Sequence, residues 1–348
     1  MRFETRVIHA GHSIDPATGS VSPPLYLSTT FARGEDGAPV AGHAYIRESN
    51  PNQSQLEEAL APLEGGEEAI VFASGMAAGV ALFQSLPPGS RVILPDDVYY
   101  GNRIVGKEFF PRWGLTAAFS AMDDLDDLRR ALEGGAALVW VETPSNPLMK
   151  VVDIAGAVRL AKEAGALVVV DNTFATPVLQ RPLDLGADVA LHATTKYFGG
   201  HSDVQGGALV FKRAGALVEA VKHVRHILGA VSSPFNSWLV LRGIRTLACR
   251  VAVQSANGLA VARALATNPA ISAVHYPGLP SHPNHDVAQR QMSGFGGMLS
   301  FQVKGGREAA LAAVARVKLF TRATSLGGVE SLIEHRATSE GPTSTTAP

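Results

Sequence analysis

Asp171 and Lys196 each follow a short apolar run. Residues 167–170 (Leu-Val-Val-Val) end in Asp171, and residues 189–191 (Val-Ala-Leu) pass through polar residues to Lys196, which Gly199 and Gly200 follow. Runs of that length and composition read as buried strands of a parallel sheet. Open α/β sheets bind ligands outside the carboxyl ends of their strands, so a carboxylate and an amine are delivered to one rim. A lysine so placed can act as a Schiff-base amine. An aspartate beside it can keep a pyridine nitrogen protonated, as pyridoxal phosphate (PLP) requires. A plain strand-end salt bridge satisfies the same spacing.

The elements that must position this pair alternate along the chain. Residues 1–50 lack periodicity and carry Pro23-Pro24 and several glycines, which predicts an extended arm. Asn52 is placed to cap a helix reaching Leu63, closed by Gly65-Gly66. Residues 69–73 read as a strand, and Ser74-Gly75-Met76 turns into a helix over 77–86. Such a turn points backbone N–H groups and a positive dipole end outward, a seat for phosphate. Residues 91–94 form the next strand, with Tyr99 and Tyr100 beyond its end. Residues 138–141 lead to Glu142-Thr-Pro-Ser-Asn146-Pro147, and a helix covers 154–164. This alternation from 69 to about 210 predicts an α/β fold with a mostly parallel sheet covered on both faces.

Apolar residues at helical spacing over 235–266 (Trp238, Leu241, Ile244, Leu247, Val251) predict one long helix or two in tandem. A domain boundary is placed within 235–250. The resulting division is an arm at 1–50, a large cofactor-binding domain at 51–240 and a smaller α/β domain at 241–348. Strands at 271–276, 298–303 and 319–322 and a helix at 307–317 furnish the smaller domain. The last residues, 336–348, are almost without apolar side chains and read as a loop.

The composition narrows the function classes. The chain has 348 residues, 46% of them hydrophobic, and a net charge of −1. That size supports two domains, and that charge suggests no nucleic-acid or anionic-membrane partner. Cys249 is the single cysteine, so no disulfide framework exists within the chain, and a cytoplasmic, reducing setting is expected. Cys249 itself is expected to be a small core residue. No Gly-x-Gly-x-x-Gly follows an early strand, which excludes a nicotinamide site of that type. His282 and His285 have a possible metal-ligand spacing but lie in a Pro-rich loop without a clear partner, and no metal is expected.

Taken together, Val-Asp-Asn-Thr-Phe-Ala-Thr-Pro (170–177) and Thr-Lys-Tyr-Phe-Gly-Gly-His-Ser-Asp (195–203) resemble the Cys/Met-metabolism family of PLP enzymes. The cystathionine synthases and lyases and the methionine γ-lyases belong to it. The resemblance runs from Thr5 to about His335 and implies a PLP-dependent transferase-like fold of the aspartate aminotransferase type I kind. It implies PLP carried on Lys196, with Asp171 on the ring nitrogen, Tyr99 stacked on the ring and moving protons near the leaving group, and Asn146 on the 3′-oxygen. Gly75, Met76 and Thr195 are implied to serve the phosphate. Tyr45 and Arg47, in a Tyr-x-Arg-x-x-Asn-Pro motif, are implied to reach the phosphate of a neighbouring subunit. Shared sites of that kind imply a homotetramer built as a dimer of dimers.

Ser325-Leu326-Gly327-Gly328-Val329-Glu330-Ser331-Leu332 resembles the family's substrate loop, so Ser325 and Leu326 are implied to bracket the substrate. Thr324 occupies the position that separates subfamilies, typically glutamate in γ-acting members and tyrosine in bacterial cystathionine β-lyases. Ala193 stands where the family usually has a phosphate-binding serine. No residue matches the family's arginine for the substrate carboxylate, which lies on a later strand, so the small domain is expected to lack its last elements. The implied activity is C–S lysis of cystathionine or a related sulfur amino acid. The alternatives are γ-replacement on an activated homoserine ester, and a weakly active or non-catalytic PLP-binding protein.

Overall fold

The computed structural model describes residues 1–12 and 14–339, with the side chain of Ser339 outside the description. Its main feature is a seven-stranded sheet of β1 (Glu68–Phe72), β2 (Arg91–Pro95), β3 (Thr116–Ser120), β4 (Leu138–Glu142), β5 (Leu167–Asp171), β6 (Val189–His192) and β7 (Gly207–Phe211). The spatial order is β1-β7-β6-β5-β4-β2-β3. Only β7 runs against its neighbours, pairing antiparallel with both β1 and β6. The carboxyl ends of the other six strands and the amino end of β7 therefore form one rim.

Both faces of the sheet are buried, which is why the central strands read as continuous apolar runs. Val139, Val141, Val168, Val170 and Ala190 pack on one face with helix Pro51–Glu64. Leu138, Trp140, Val169, Val189 and Leu191 pack on the other with helix Gly75–Gln84. Side chains alternate along a strand, so Glu142 and Asp171 share the face of helix Gly75–Gln84. His192 takes the opposite face.

The helix starting at residue 51 is capped by Asn50, not by Asn52: the Asn50 side chain accepts from Asn52 N at 2.9 Å. Pro51 at the first helical position shifts the start, since its missing N–H costs nothing there. Asn52 instead pins the arm, accepting from Tyr26 N and donating to Pro24 O. The 235–266 stretch forms two helices, Pro234–Ile244 and Leu247–Ala266. Cys249 is exposed on the second, so it is not a core residue.

Beyond residue 270 lie two small sheets. An antiparallel pair joins β8 (Ile271–His275) to β9 (Ser300–Val303), and a parallel pair joins β10 (Thr321–Arg322) to β11 (Leu332–Ile333). The expected terminal loop is partly a helical turn, Arg336–Ser339, and the remainder of it lies outside the described residues. Among the described residues no helix is long and apolar enough to cross a membrane.

Candidate active site

The rim gathers the predicted residues from separate strands. Glu142 and Asp171 are register partners at the ends of β4 and β5. Thr173 donates to Asp171 Oδ1 twice, from its N–H at 3.0 Å and its hydroxyl at 2.5 Å. Burial pushes the Asp171 carboxyl above its ordinary range, against these bonds and the charge of His192. Burial also pushes Glu142 well up, and the Asp171 charge beside it adds to the rise.

On the opposite face His192 Nε2 lies 2.5 Å from Glu64 Oε1, and Asn172 Nδ2 donates to the same oxygen at 2.9 Å. This buried network ties the residue after Asp171 to β6 and to the helix below the sheet. It fixes the strand end from behind.

Three loops converge beside the carboxylates. Ser74 caps helix Gly75–Gln84, its Oγ accepting from Ala77 N at 3.1 Å. A Cβ on Gly75 would sit 2.8 Å from Ala193 Cβ, and one on Gly207 would sit 2.2 Å from Ser74 O. Only glycine allows these backbones to approach so closely. Ala193 N donates to Thr173 Oγ1 at 2.9 Å, which links the lysine loop to the aspartate strand. Thr195 Oγ1 donates to Gly206 O at 3.2 Å and accepts from Gly206 N at 3.1 Å.

Tyr99 is about half exposed and is fixed through its backbone, its N–H donating to Glu142 Oε2 at 2.9 Å. A Cβ on Gly101 would meet Met76 Sδ at 2.7 Å and Tyr99 Cε1 at 3.0 Å, so Gly101 lets Tyr99 and Met76 close together. Tyr100 begins the next helix and is equally exposed. Asn146 is half-buried in the turn after β4.

Lys196 Nζ donates to Ser325 Oγ at 2.9 Å, which joins the rim to the 323–332 loop. Burial lowers the lysine's basicity, Glu334 opposes that, and Arg336 adds to it. Ser325 has φ +92° and Gly327 φ +81°, and Gly327 lies so near Tyr197 N that a Cβ would be 2.6 Å away. Thr195, Thr324, Ser325 and Glu330 border a cavity of about 270 Å³. Leu326 packs against the main core.

The arm residues Tyr45 and Arg47 go elsewhere in this chain. Arg47 Nη1 donates to His226 O at 3.0 Å, and its guanidinium lies 5.6 Å from the Tyr45 ring centre. These neighbours are not rim residues. His282 Nε2 lies 2.9 Å from Met149 O and His285 Nδ1 2.7 Å from Pro277 O, so each ring is engaged with a backbone carbonyl.

Two participants were not singled out from the sequence. Glu142 ends the apolar run 138–141 just as Asp171 ends 167–170, and that parallel was the available signal. Arg336 opens the terminal stretch that reads as a loop, yet its charge acts on both Lys196 and Glu142. No local pattern signals such a long-range approach.

Residues 4–344 match the family described as Cys/Met metabolism PLP-dependent enzyme. Cystathionine gamma-synthase of Mycobacterium leprae is 50% identical over 331 residues, covering 95% of this chain and 85% of the relative. Cystathionine beta-lyase of Coxiella burnetii is 44% identical, covering 96% and 87%. The solved structure of cystathionine gamma synthase from Xanthomonas oryzae pv. oryzae, in complex with aminoacrylate and cysteine, is 41% identical, with a TM-score of 0.93 over 97% of this chain and 87% of that one. By sequence and fold alike, the chain belongs to the Cys/Met metabolism family of PLP-dependent enzymes.

Proposed function

We propose that this chain, with PLP on Lys196, breaks the C–S bond of cystathionine or a related sulfur amino acid. The observation that carries this reading is the Lys196 amine: half-buried, weakened as a base and aimed at Ser325 on the loop bordering the cavity. A free lysine is almost fully protonated at neutral pH and makes a poor proton acceptor. Lowering its basicity suits it to proton transfer.

The residues fit the cofactor. Both Thr173 bonds fall on Asp171 Oδ1, which leaves Oδ2 for a protonated ring nitrogen. A cation there would offset the burial that raises the Asp171 carboxyl. The start of helix Gly75–Gln84, with Gly75 and Met76, suits the phosphate. Ala193 offers it no hydroxyl, and Thr195 spends its own on Gly206. Backbone N–H groups therefore carry most of that grip within the chain. Tyr99 would cover the ring and Asn146 would donate to its 3′-oxygen. When bound, PLP withdraws electrons from the substrate carbon.

The chain's own residues do the rest. Lys196 Nζ takes the substrate α-proton and can return it, with Ser325 Oγ holding the amine in line. Ser325 and Leu326 bracket the substrate, and the Tyr99 hydroxyl supplies a proton to the departing sulfur. Lysis is completed by water, which hydrolyses the unsaturated amine product to a keto acid and ammonia; cleavage at Cγ also requires a proton to leave Cβ. Product analysis with L-cystathionine tests it: pyruvate with homocysteine marks β-cleavage, and 2-oxobutyrate with cysteine marks γ-cleavage. No keto acid without a thiol acceptor would overturn lysis. A second reading, γ-replacement forming cystathionine, is favoured by the higher identity to the M. leprae synthase than to the C. burnetii lyase. Cystathionine formed from cysteine and an activated homoserine ester would establish it.

The division into a PLP-binding unit at 51–240 and a substrate-side unit at 241–348 belongs to this proposal, as does a homotetramer with shared sites. Arg47 and Tyr45 would then serve the neighbouring subunit's phosphate. Mixed Arg47→Ala and Lys196→Ala chains should recover activity in hybrids. A fully active monomer would overturn the sharing.

A further inference from the structure

Glu142 stands beside Asp171 for a topological reason. Register partners on parallel strands point to the same face of the sheet, so the ends of β4 and β5 bring two carboxyl groups together. Glu142 is 7% exposed and its Oε2 accepts the Tyr99 N–H. In two buried carboxyls on neighbouring strand ends, each charge raises the cost of ionising the other. The assignment follows from what faces each group. Asp171 has two Thr173 donors on one oxygen, and the charge of His192, from the other face of the sheet, favours its ionisation. Glu142 has one backbone donor, Tyr99 N; that bond and the charge of Arg336 favour its ionisation, while burial, Asp171 and Asp97 from the loop after β2 oppose it. Asp171 is thus better equipped to carry charge.

We propose that Glu142 is a positioning residue: a neutral carboxylic acid that anchors the Tyr99 backbone and leaves Asp171 as the one anion of the pair. This rests on the reading of Asp171 as the partner of the PLP ring nitrogen. A charged glutamate could hold the same Tyr99 N–H, but it would compete for the ring proton. A neutral acid holds the loop and adds no second charge. Burial raises the glutamate's affinity for its proton, in agreement with this role.

The test is infrared spectroscopy of the PLP-loaded enzyme at neutral pH, with and without ¹³C-glutamate. A protonated-carboxyl carbonyl band that shifts with labelled glutamate, but not with labelled aspartate, is expected. Glu142→Gln should remove the band and Asp171→Asn should retain it. Because glutamine mimics a neutral acid and still offers an oxygen to Tyr99 N, it should rescue most of the activity that Glu142→Ala loses. The alanine variant should fall by about tenfold or more in kcat/KM through the lost buried hydrogen bond. The proposal is overturned if no such band exists, if the band follows aspartate labelling, or if the folded glutamine variant is as impaired as alanine. The isotope experiment needs no variant, so a misfolded substitution does not block it. Absence of activity toward cystathionine would sink the lysis reading and leave the band assignment standing.

Discussion

The rim of the seven-stranded sheet and the 323–336 loop meet at Lys196 but are held there by different means. Rim residues sit at strand ends whose position is set by backbone register, with Glu142 facing Asp171 and Gly207 facing Phe72. Strands on both sides and apolar side chains on both faces support them. The loop is partly exposed and is held by scattered contacts: Lys196 to Ser325, Gln254 Nε2 to Gly328 O at 2.8 Å, Ser202 to Glu330, Leu326 on the core and Gly327 against Tyr197. Its two short strands share only two register pairs. A rim built this way suits a permanently bound cofactor, and a loop built that way suits a substrate that must enter and leave.

Substitutions on the two sides should therefore fail differently. The largest effect is expected for Lys196→Ala, which removes the attachment and the base together; loss of general-base catalysis alone is worth up to about 10⁴-fold in kcat. Borohydride reduction of the wild type should fix PLP on the peptide containing Lys196. Fixation on Lys150 or Lys212 would break the assignment of the rim as the cofactor side. Asp171→Asn comes next, with a loss of about 10²- to 10³-fold in kcat, the scale for removing one preorganised electrostatic partner. PLP should stay bound, read by its absorbance after gel filtration. Near-normal kcat would contradict the role given to Asp171.

Ser325→Ala tests the loop. It removes the partner of the Lys196 amine, a hydrogen bond to a charged or partly charged group worth about 1.5–3 kcal/mol, or about 10- to 150-fold in kcat/KM. PLP occupancy should be unchanged. Cofactor loss would show that the loop also holds the cofactor, and the contrast between rim and loop would fail.

The rim was the more legible of the two in the sequence, and the reason is physical. A buried parallel strand needs an unbroken apolar run, so the first polar residue after it marks the rim: Asp171 after 167–170 and Glu142 after 138–141. Strand β3 escaped notice because Thr116–Ser120 is a partly exposed edge strand whose short apolar run is mostly alanine, a weak strand former. Strand β7 is apolar but is the one antiparallel member, a direction that local composition does not encode. The loop had no periodicity to read, and its serine and glycines gained meaning only through family resemblance. Arg336 reaches the site through the chain's long-range path, which no spacing rule describes.

The smallest predicted effect comes from a second serine, and it sharpens the contrast most. Ser74 and Ser325 each make one side-chain hydrogen bond near the site, to Ala77 N and Lys196 Nζ. Ser74 is an N-cap, and replacing such a residue with alanine costs about 1 kcal/mol of folding stability. Its backbone should stay in place, because the amino end of β7 packs against Ser74 O and the helix buries Ala78, Ala81, Leu82 and Phe83. Ser74→Ala should therefore lower stability in denaturant by about 1 kcal/mol and weaken PLP binding by less than about tenfold. Ser325→Ala should leave stability almost untouched, since Ser325 caps no helix and is exposed. Unfolding curves and kcat/KM measured on both variants decide the matter. If the two serines lose stability and turnover in the same proportion, rim and loop are one mechanical unit rather than a fixed support and an adjustable cover.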